Sequence, residues 1–260
     1  MGRRDEVFAP MNELALFAGA GGGILGSKLL GHRIIGYVEN NEYCQKVLRQ
    51  RIDDGILDDA PIFGDIRAFN REGYAESYQG LVDVISGGFP CQPFSLSGPQ
   101  LGEHDERNMW PETINTISII RPKFAFLENV PGLLVSGYAG RIFGDLAESG
   151  YNARWCVLGN HFTGGITDSK RLWIVAFASD CTMLESVDIF KHFVPASEES
   201  CRRESSRTVG AAISQDDYTK LKRNPDEVAR GMDRLKAIGN GQVPIVAATA
   251  FRILSGILCP

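Results

Sequence analysis

Leu14-Ala15-Leu16-Phe17-Ala18-Gly19-Ala20-Gly21-Gly22-Gly23-Ile24-Leu25-Gly26 reads as an apolar strand, a glycine-rich turn and the start of a helix. Glycines here let the backbone bend sharply and approach a ligand closely, while the helix amides point at the same spot. Working outward, short apolar strands alternate with helical stretches from about residue 14 to residue 178. Strands are predicted near 14–17, 34–38, 62–64, 82–86, 123–128, 153–158 and 171–177, and helices near 22–31, 41–51, 111–120 and 140–149. Such alternation is the mark of an α/β fold, a mostly parallel sheet with helices on both faces.

Carboxylates recur at the ends of the predicted strands. Glu39 follows Ile34-Ile35-Gly36-Tyr37-Val38, about where an acid would accept hydrogen bonds from ribose hydroxyls. Asp65, in Gly64-Asp65-Ile66-Arg67, ends the third strand and suits an adenine amino group. Together with the glycine turn these acids point to an adenosine-type cofactor. Gly21, Gly23 and Gly26 also satisfy G-x-G-x-x-G, so a nicotinamide dinucleotide and S-adenosylmethionine both remain open at this point.

The reacting groups lie on the next strand ends. Gly87-Gly88-Phe89-Pro90-Cys91-Gln92-Pro93-Phe94-Ser95 sets a thiol just past a β-branched strand, in a loop stiffened by prolines on both sides. Open α/β sheets place their ligands at that carboxyl edge. Phe124-Ala125-Phe126-Leu127-Glu128-Asn129-Val130 delivers Glu128 to the same edge. In apolar surroundings its pKa is expected to rise, so that it holds or donates a proton near neutrality. A cysteine nucleophile with a carboxylic acid suits addition to an electron-poor ring. Arg171, opening Arg171-Leu172-Trp173-Ile174-Val175-Ala176, is a further candidate.

Bulk properties agree with a soluble globular protein. The 260 residues are 43% hydrophobic and 23% charged, with a net charge of −5. That balance does not advertise a polyanion partner, so any nucleic-acid surface must gather its positive charge on one face. The six cysteines form no C-x-x-C pair, so neither a metal site nor a disulfide framework is expected, and a cytoplasmic location fits. No transmembrane span or secretory leader is expected.

With these residues in view, the chain resembles the DNA (cytosine-5)-methyltransferase family across nearly its whole length, in the family's motif order. It is similar to the compact phage-type or stand-alone bacterial members. Phe17-Ala18-Gly19-Ala20-Gly21-Gly22 resembles the first cofactor motif, and Glu39 and Asp65 the ribose- and adenine-binding acids. Pro90-Cys91-Gln92 resembles the catalytic motif, followed by Ser95 and Ser97 at the family's serine spacing. Asp105, Arg107 and Trp110-Pro111-Glu112 resemble the linker after the catalytic loop, and Glu128-Asn129-Val130 the proton-handling motif. Arg234 to Asn240, with Val243-Pro244, resembles the final motif, whose helix folds back beside the cofactor.

The resemblance implies an S-adenosylmethionine-dependent methyltransferase (Rossmann-like) fold with a small target-recognition insertion. It implies a cofactor-binding and catalytic domain over 1–178, a recognition lobe over 179–224, and a segment over 225–260 that folds back onto the catalytic domain. S-adenosylmethionine is the implied cofactor, with S-adenosylhomocysteine as product and no metal. Its contacts would come from Phe17, Gly19, Gly21, Gly22, Glu39, Asp65, Ile66, Pro90, Asn240 and Val243. Cys91 would attack C6 of a cytosine flipped out of double-stranded DNA, Glu128 would protonate N3, and Arg171 would hold O2. Gln92, Ser95, Ser97, Arg202, Arg203 and Arg207 are the implied DNA contacts. A monomer is expected, with room for a cognate restriction endonuclease acting separately.

Four departures qualify the match. Ser169 stands where the family carries the first arginine of Gln-x-Arg-x-Arg, and Ala15 where many members have aspartate. Gln242 interrupts the small apolar run after Gly239-Asn240. Only about sixty residues separate the strand of Arg171 from Arg234, and the glutamine-proline-rich helix motif usual there is not recognisable, so a short or relaxed target sequence is expected. Two alternatives follow: a tRNA cytosine-5 methyltransferase, or a catalytically impaired DNA-binding module of the same fold.

Overall fold

Strand β1 (Asn12–Leu16) shows how the sequence builds the sheet. Leu14 and Leu16 enter one core, while Ala15 between them enters another on the opposite face. This is the period-two alternation of a strand covered on both sides. The computed structural model describes residues 10–90, 108–164, 169–179 and 241–256.

Six further strands complete the sheet: β2 (Arg33–Val38), β3 (Ile62–Phe63), β4 (Val84–Gly88), β5 (Phe124–Asn129), β6 (Tyr151–Leu158) and β7 (Arg171–Ala178). Their order is β3-β2-β1-β4-β5-β7-β6. The first five run parallel, whereas β7 is antiparallel to both β5 and β6 and lies between them. The sequence predicts the strands but not this reversal, because an antiparallel neighbour has the same apolar pattern as a parallel one. Chain order runs outward in opposite directions from β1 and β4. That topological switch point opens a crevice beyond their carboxyl ends, where α/β sheets bind ligands.

Helices cover both faces. One face packs α3 (Ile66–Arg71), α4 (Trp110–Ile120) and α5 (Tyr138–Glu148) around Leu16, Ile85, Leu127 and Ile174. On the other face, α1 (Gly22–Leu29) and α2 (Glu42–Asp53) cover Ala15 and Tyr37. There α6 (Pro244–Ser255) covers Val84, Phe126 and Trp173. Pro244 begins α6 as predicted, in the first turn where a missing N–H costs nothing. Helix α1 stops two residues short of the predicted 31, as the chain turns through Gly31 at φ 78°. Helix α3 is absent from the sequence reading; the Asp65 side chain starts it by accepting the Arg67 N–H at 2.7 Å.

Gly26, the last glycine of the opening motif, permits a close helix crossing. A methyl group there would lie 2.7 Å from the Pro244 carbonyl oxygen and 3.0 Å from the Ala247 Cβ. It brings α6, and the residues just before it, against the start of α1. No helix among the described residues is long and apolar enough to cross a membrane.

Candidate active site

The loops following β1 and β2, the carboxyl-end residues of β4 and β5, and the segment before α6 converge on the switch point. They enclose a cavity of about 260 Å³, lined by Phe17, Gly19, Gly22, Gly23, Glu39, Ser86, Gly88, Phe126, Glu128 and Gln242. A second, more open cavity of about 690 Å³ adjoins it, lined by Phe17, Glu39, Asp65, Ile66, Pro90 and Met109. Phe17 borders both and sits at φ 50°, a left-handed conformation unusual for a bulky residue and typical of functional turns.

Glu39 fastens the turn to the sheet. Its Oε2 accepts the Gly19 N–H at 2.7 Å, and its Oε1 accepts the Asn41 N–H at 2.7 Å. Each oxygen keeps a further lone pair, so the carboxylate can still accept from a vicinal diol. Asp65 spends one oxygen on capping α3 and lies at the edge of the outer cavity. Gly21 is the N-cap of α1 at φ 85°, and a methyl there would point at Leu48, Arg51 and Leu57 rather than into the cavity. Val243 lies outside both linings; its carbonyl accepts the Val246 and Ala247 N–H groups that begin α6.

Glu128 lies in register with Gly88 across the β4–β5 pair. A methyl on Gly88 would lie 2.6 Å from Glu128 Oε2, so glycine makes the room for this carboxyl. Arg171, first residue of β7, brings its Nε to 2.9 Å from Glu128 Oε1. Burial pushes the Glu128 pKa upward, opposed by the Arg171 charge and by hydrogen bonds from Gln242 and Arg171. The outcome is a carboxyl that keeps its proton to higher pH than an exposed glutamic acid.

The next residue anchors the chain two residues ahead of Cys91. Asn129 is buried, and its Nδ2 donates to the Phe89 carbonyl at 3.1 Å. Phe89 in turn packs on Trp110, with ring centroids 5.3 Å apart. Trp110 donates its indole N–H to Asp145 at 2.8 Å, and Glu112 accepts from Asn70 at 2.8 Å. The described chain therefore enters the cysteine loop from a fixed Phe89-Pro90. Cys91, Gln92, Ser95, Ser97, Asp105, Arg107, Arg202, Arg203, Arg207 and Asn240 lie outside the described residues, as do the proposed recognition lobe and most of the C-terminal segment.

Sequence reasoning missed a buried polar cluster beneath the cavity. Glu13 is 1% exposed; its Oε1 accepts from Ser27 at 2.7 Å and from Ser86, and its Oε2 lies 2.6 Å from His32 Nδ1. Ser27 and Ser86 both line the cavity. The available signal was a charge at a position that shares its strand face with Ala15. Among the described residues no group of three or more His, Cys, Asp or Glu side chains is arranged to hold a metal.

Comparison with known proteins agrees with this architecture. Residues 11–240 match the family described as C-5 cytosine-specific DNA methylase. Among similar proteins, the type II methyltransferase M.NgoMIV of Neisseria gonorrhoeae is 34% identical over 190 residues, covering 72% of this chain and 56% of that protein. M.CviJI of Paramecium bursaria Chlorella virus IL3A is 29% identical over 168 residues, 64% of this chain and 43% of that one. The chain thus spans about half the length of these relatives. Among solved structures, a Spodoptera frugiperda DNMT2 variant superposes with a TM-score of 0.62 at 16% identity, covering 94% of this chain and 99% of that one. With the family match spanning residues 11–240, the chain belongs to the C-5 cytosine-specific DNA methylases.

Proposed function

We propose that this protein transfers a methyl group from S-adenosylmethionine to C5 of cytosine in double-stranded DNA. The observation that carries the reading is Glu128, a carboxyl of raised pKa paired with Arg171 on the cavity that the glycine turn and Glu39 also line. The residues fit the cofactor: Glu39 retains acceptors for the ribose, Phe17, Asp65, Ile66 and Pro90 border the outer cavity for the adenine, and Gly19 and Gly22 admit the methionine end. Once bound, S-adenosylmethionine supplies an electrophilic methyl group.

The protein's own residues prepare the base. Cytosine must leave the helix stack before its ring can be attacked. The Cys91 thiolate forms a bond to C6 while Glu128 gives its proton to N3, which places electron density on C5. Arg171 turns its remaining donors toward O2 and steadies charge building on the ring. After methylation N3 returns its proton to Glu128 and solvent water takes the C5 proton; the C5–H electrons re-form the C5=C6 double bond, and the Cys91–C6 electrons leave with sulfur, restoring the thiolate. Residues 179–224 would form the recognition lobe, with Arg202, Arg203 and Arg207 on phosphates and Gln92, Ser95 and Ser97 near the flipped base. Monomeric action and a separately acting restriction endonuclease complete the proposal.

The relatives named type II methyltransferases favour DNA over the tRNA alternative. The test supplies radiolabelled S-adenosylmethionine with unmethylated duplex DNA and, separately, with tRNA. Label is expected in DNA and not in tRNA. Label in tRNA alone overturns the substrate. Intact S-adenosylhomocysteine binding without transfer to either would favour the impaired binding module.

A further inference from the structure

Gln242, the residue that breaks the expected small apolar run, occupies the centre of the site. It sits at the entrance to α6, and both its backbone and its side chain are held by glycines. A methyl on Gly22 would lie 2.7 Å from the Gln242 carbonyl oxygen, so the backbone of Gln242 rests directly on the start of α1. The amide oxygen Oε1 rests on Gly23, where a methyl would collide with it. At the other end of the same amide, Nε2 lies 3.2 Å from the methyl position of Gly88, the point that Glu128 Oε2 approaches to 2.6 Å. The side chain therefore spans the cavity from α1 to the acid and hydrogen-bonds to it.

We propose that Gln242 is a positioning residue that, together with Arg171, fixes the plane of the Glu128 carboxyl for proton exchange with the base. This rests on the reaction proposed above. Arg171 binds Oε1, and Gln242, whose Nε2 shares with Glu128 Oε2 the space beside Gly88, hydrogen-bonds to the same carboxyl, so two donors on different elements hold it. A single cationic partner would leave the group free to rotate about its last torsion, which is broad for glutamate. The second donor removes that freedom. Both donors also favour the ionised form against burial, so the group can release as well as hold its proton. The charged side chains around Glu128 among the described residues are Arg171 on β7, in contact with it, and Glu39 across the cavity. Because Gln242 precedes α6, which crosses α1 at Gly26, the helix packing sets how far the amide reaches.

The test compares wild type with Gln242→Leu, which removes the donor at nearly constant volume, and with Gln242→Ala. Proteins are labelled with glutamate carrying 13C at the side-chain carboxyl, and the Glu128 signal is assigned through Glu128→Gln. In both variants the Glu128 titration midpoint is expected to rise by about one pH unit. The high-pH limb of the kcat profile should move with it. Plateau kcat should fall about tenfold, with KM for S-adenosylmethionine changed less than about threefold, the pattern of lost orientation rather than lost binding. S-adenosylhomocysteine binding reports the folded site in each variant. An unmoved midpoint with an unmoved limb overturns the proposal, even if kcat falls uniformly. If wild type transfers no methyl group, the reaction is wrong, while the midpoint comparison still decides whether Gln242 holds Glu128.

Discussion

Glu128→Gln lowers kcat for methyl transfer by about two to four orders of magnitude, the span of a lost general acid. The amide is nearly isosteric and still accepts a hydrogen bond from Arg171, but it has no proton to give N3. S-adenosylhomocysteine binding should change little, because in the proposed binding mode Glu39 and the glycine turn hold that ligand independently. A pH signature accompanies the loss. Burial, the dominant influence, raises the folded-state pKa of Glu128 above its unfolded value. The folded protein therefore binds this proton more tightly than the unfolded chain. The associated stability is complete below the unfolded pKa and is lost as pH rises through the folded one. Glu128→Gln has no such loss, so its unfolding midpoint should depend less on pH across that window than that of wild type. Activity of wild type should decline on the alkaline side as Glu128 loses its proton. A variant that retains more than a tenth of wild-type kcat would remove Glu128 from the chemistry.

Glu13→Ala destabilises the fold by about 3 kcal/mol, the lower end for breaking a buried ionisable pair by removing one partner. Glu13 and His32 are 1% and 2% exposed in their side chains, and the substitution takes the shared carboxylate from Ser27, Ser86 and His32 at once. His32 Nε2 already lacks a partner, so the ring has no second acceptor to fall back on. Glu13→Gln should cost less, since it keeps an oxygen for the two hydroxyls. Equilibrium urea unfolding measures both. A cost below about 1 kcal/mol for Glu13→Ala would mean that the cluster contributes little to stability. Because Ser27 and Ser86 line the cavity, Glu13→Ala also removes a hydrogen-bond partner from two of its walls.

Much of this architecture was legible because its determinants are local. The glycine turn after β1, the alternation of Leu14, Ala15 and Leu16, and the proline at the start of α6 each act within a few residues. Glu39 was readable from spacing alone, because βα units place the next strand end at a near-constant distance. Helix α3 was not, since its six residues span fewer than two helical turns and depend on the Asp65 cap. The reversed direction of β7 was hidden for a different reason: buried strands look alike whichever way they run. Glu13 and Gln242 were least legible. Each gains its role from partners on other elements: Ser86 and His32 for Glu13, Gly23 and Glu128 for Gln242. Gln242 was visible only as a break in an expected pattern, and the break marks a residue that reaches the acid.

The central claim is that Cys91 and Glu128 act together on cytosine. Its most direct test incubates wild type and Cys91→Ala with unmethylated mixed-sequence duplex DNA and S-adenosylmethionine, then analyses the digested nucleosides by mass spectrometry. The account predicts 5-methylcytosine from wild type and none from Cys91→Ala. Equal 5-methylcytosine from both proteins would contradict the covalent mechanism, and a methyl group on any other base would contradict the assignment of the site.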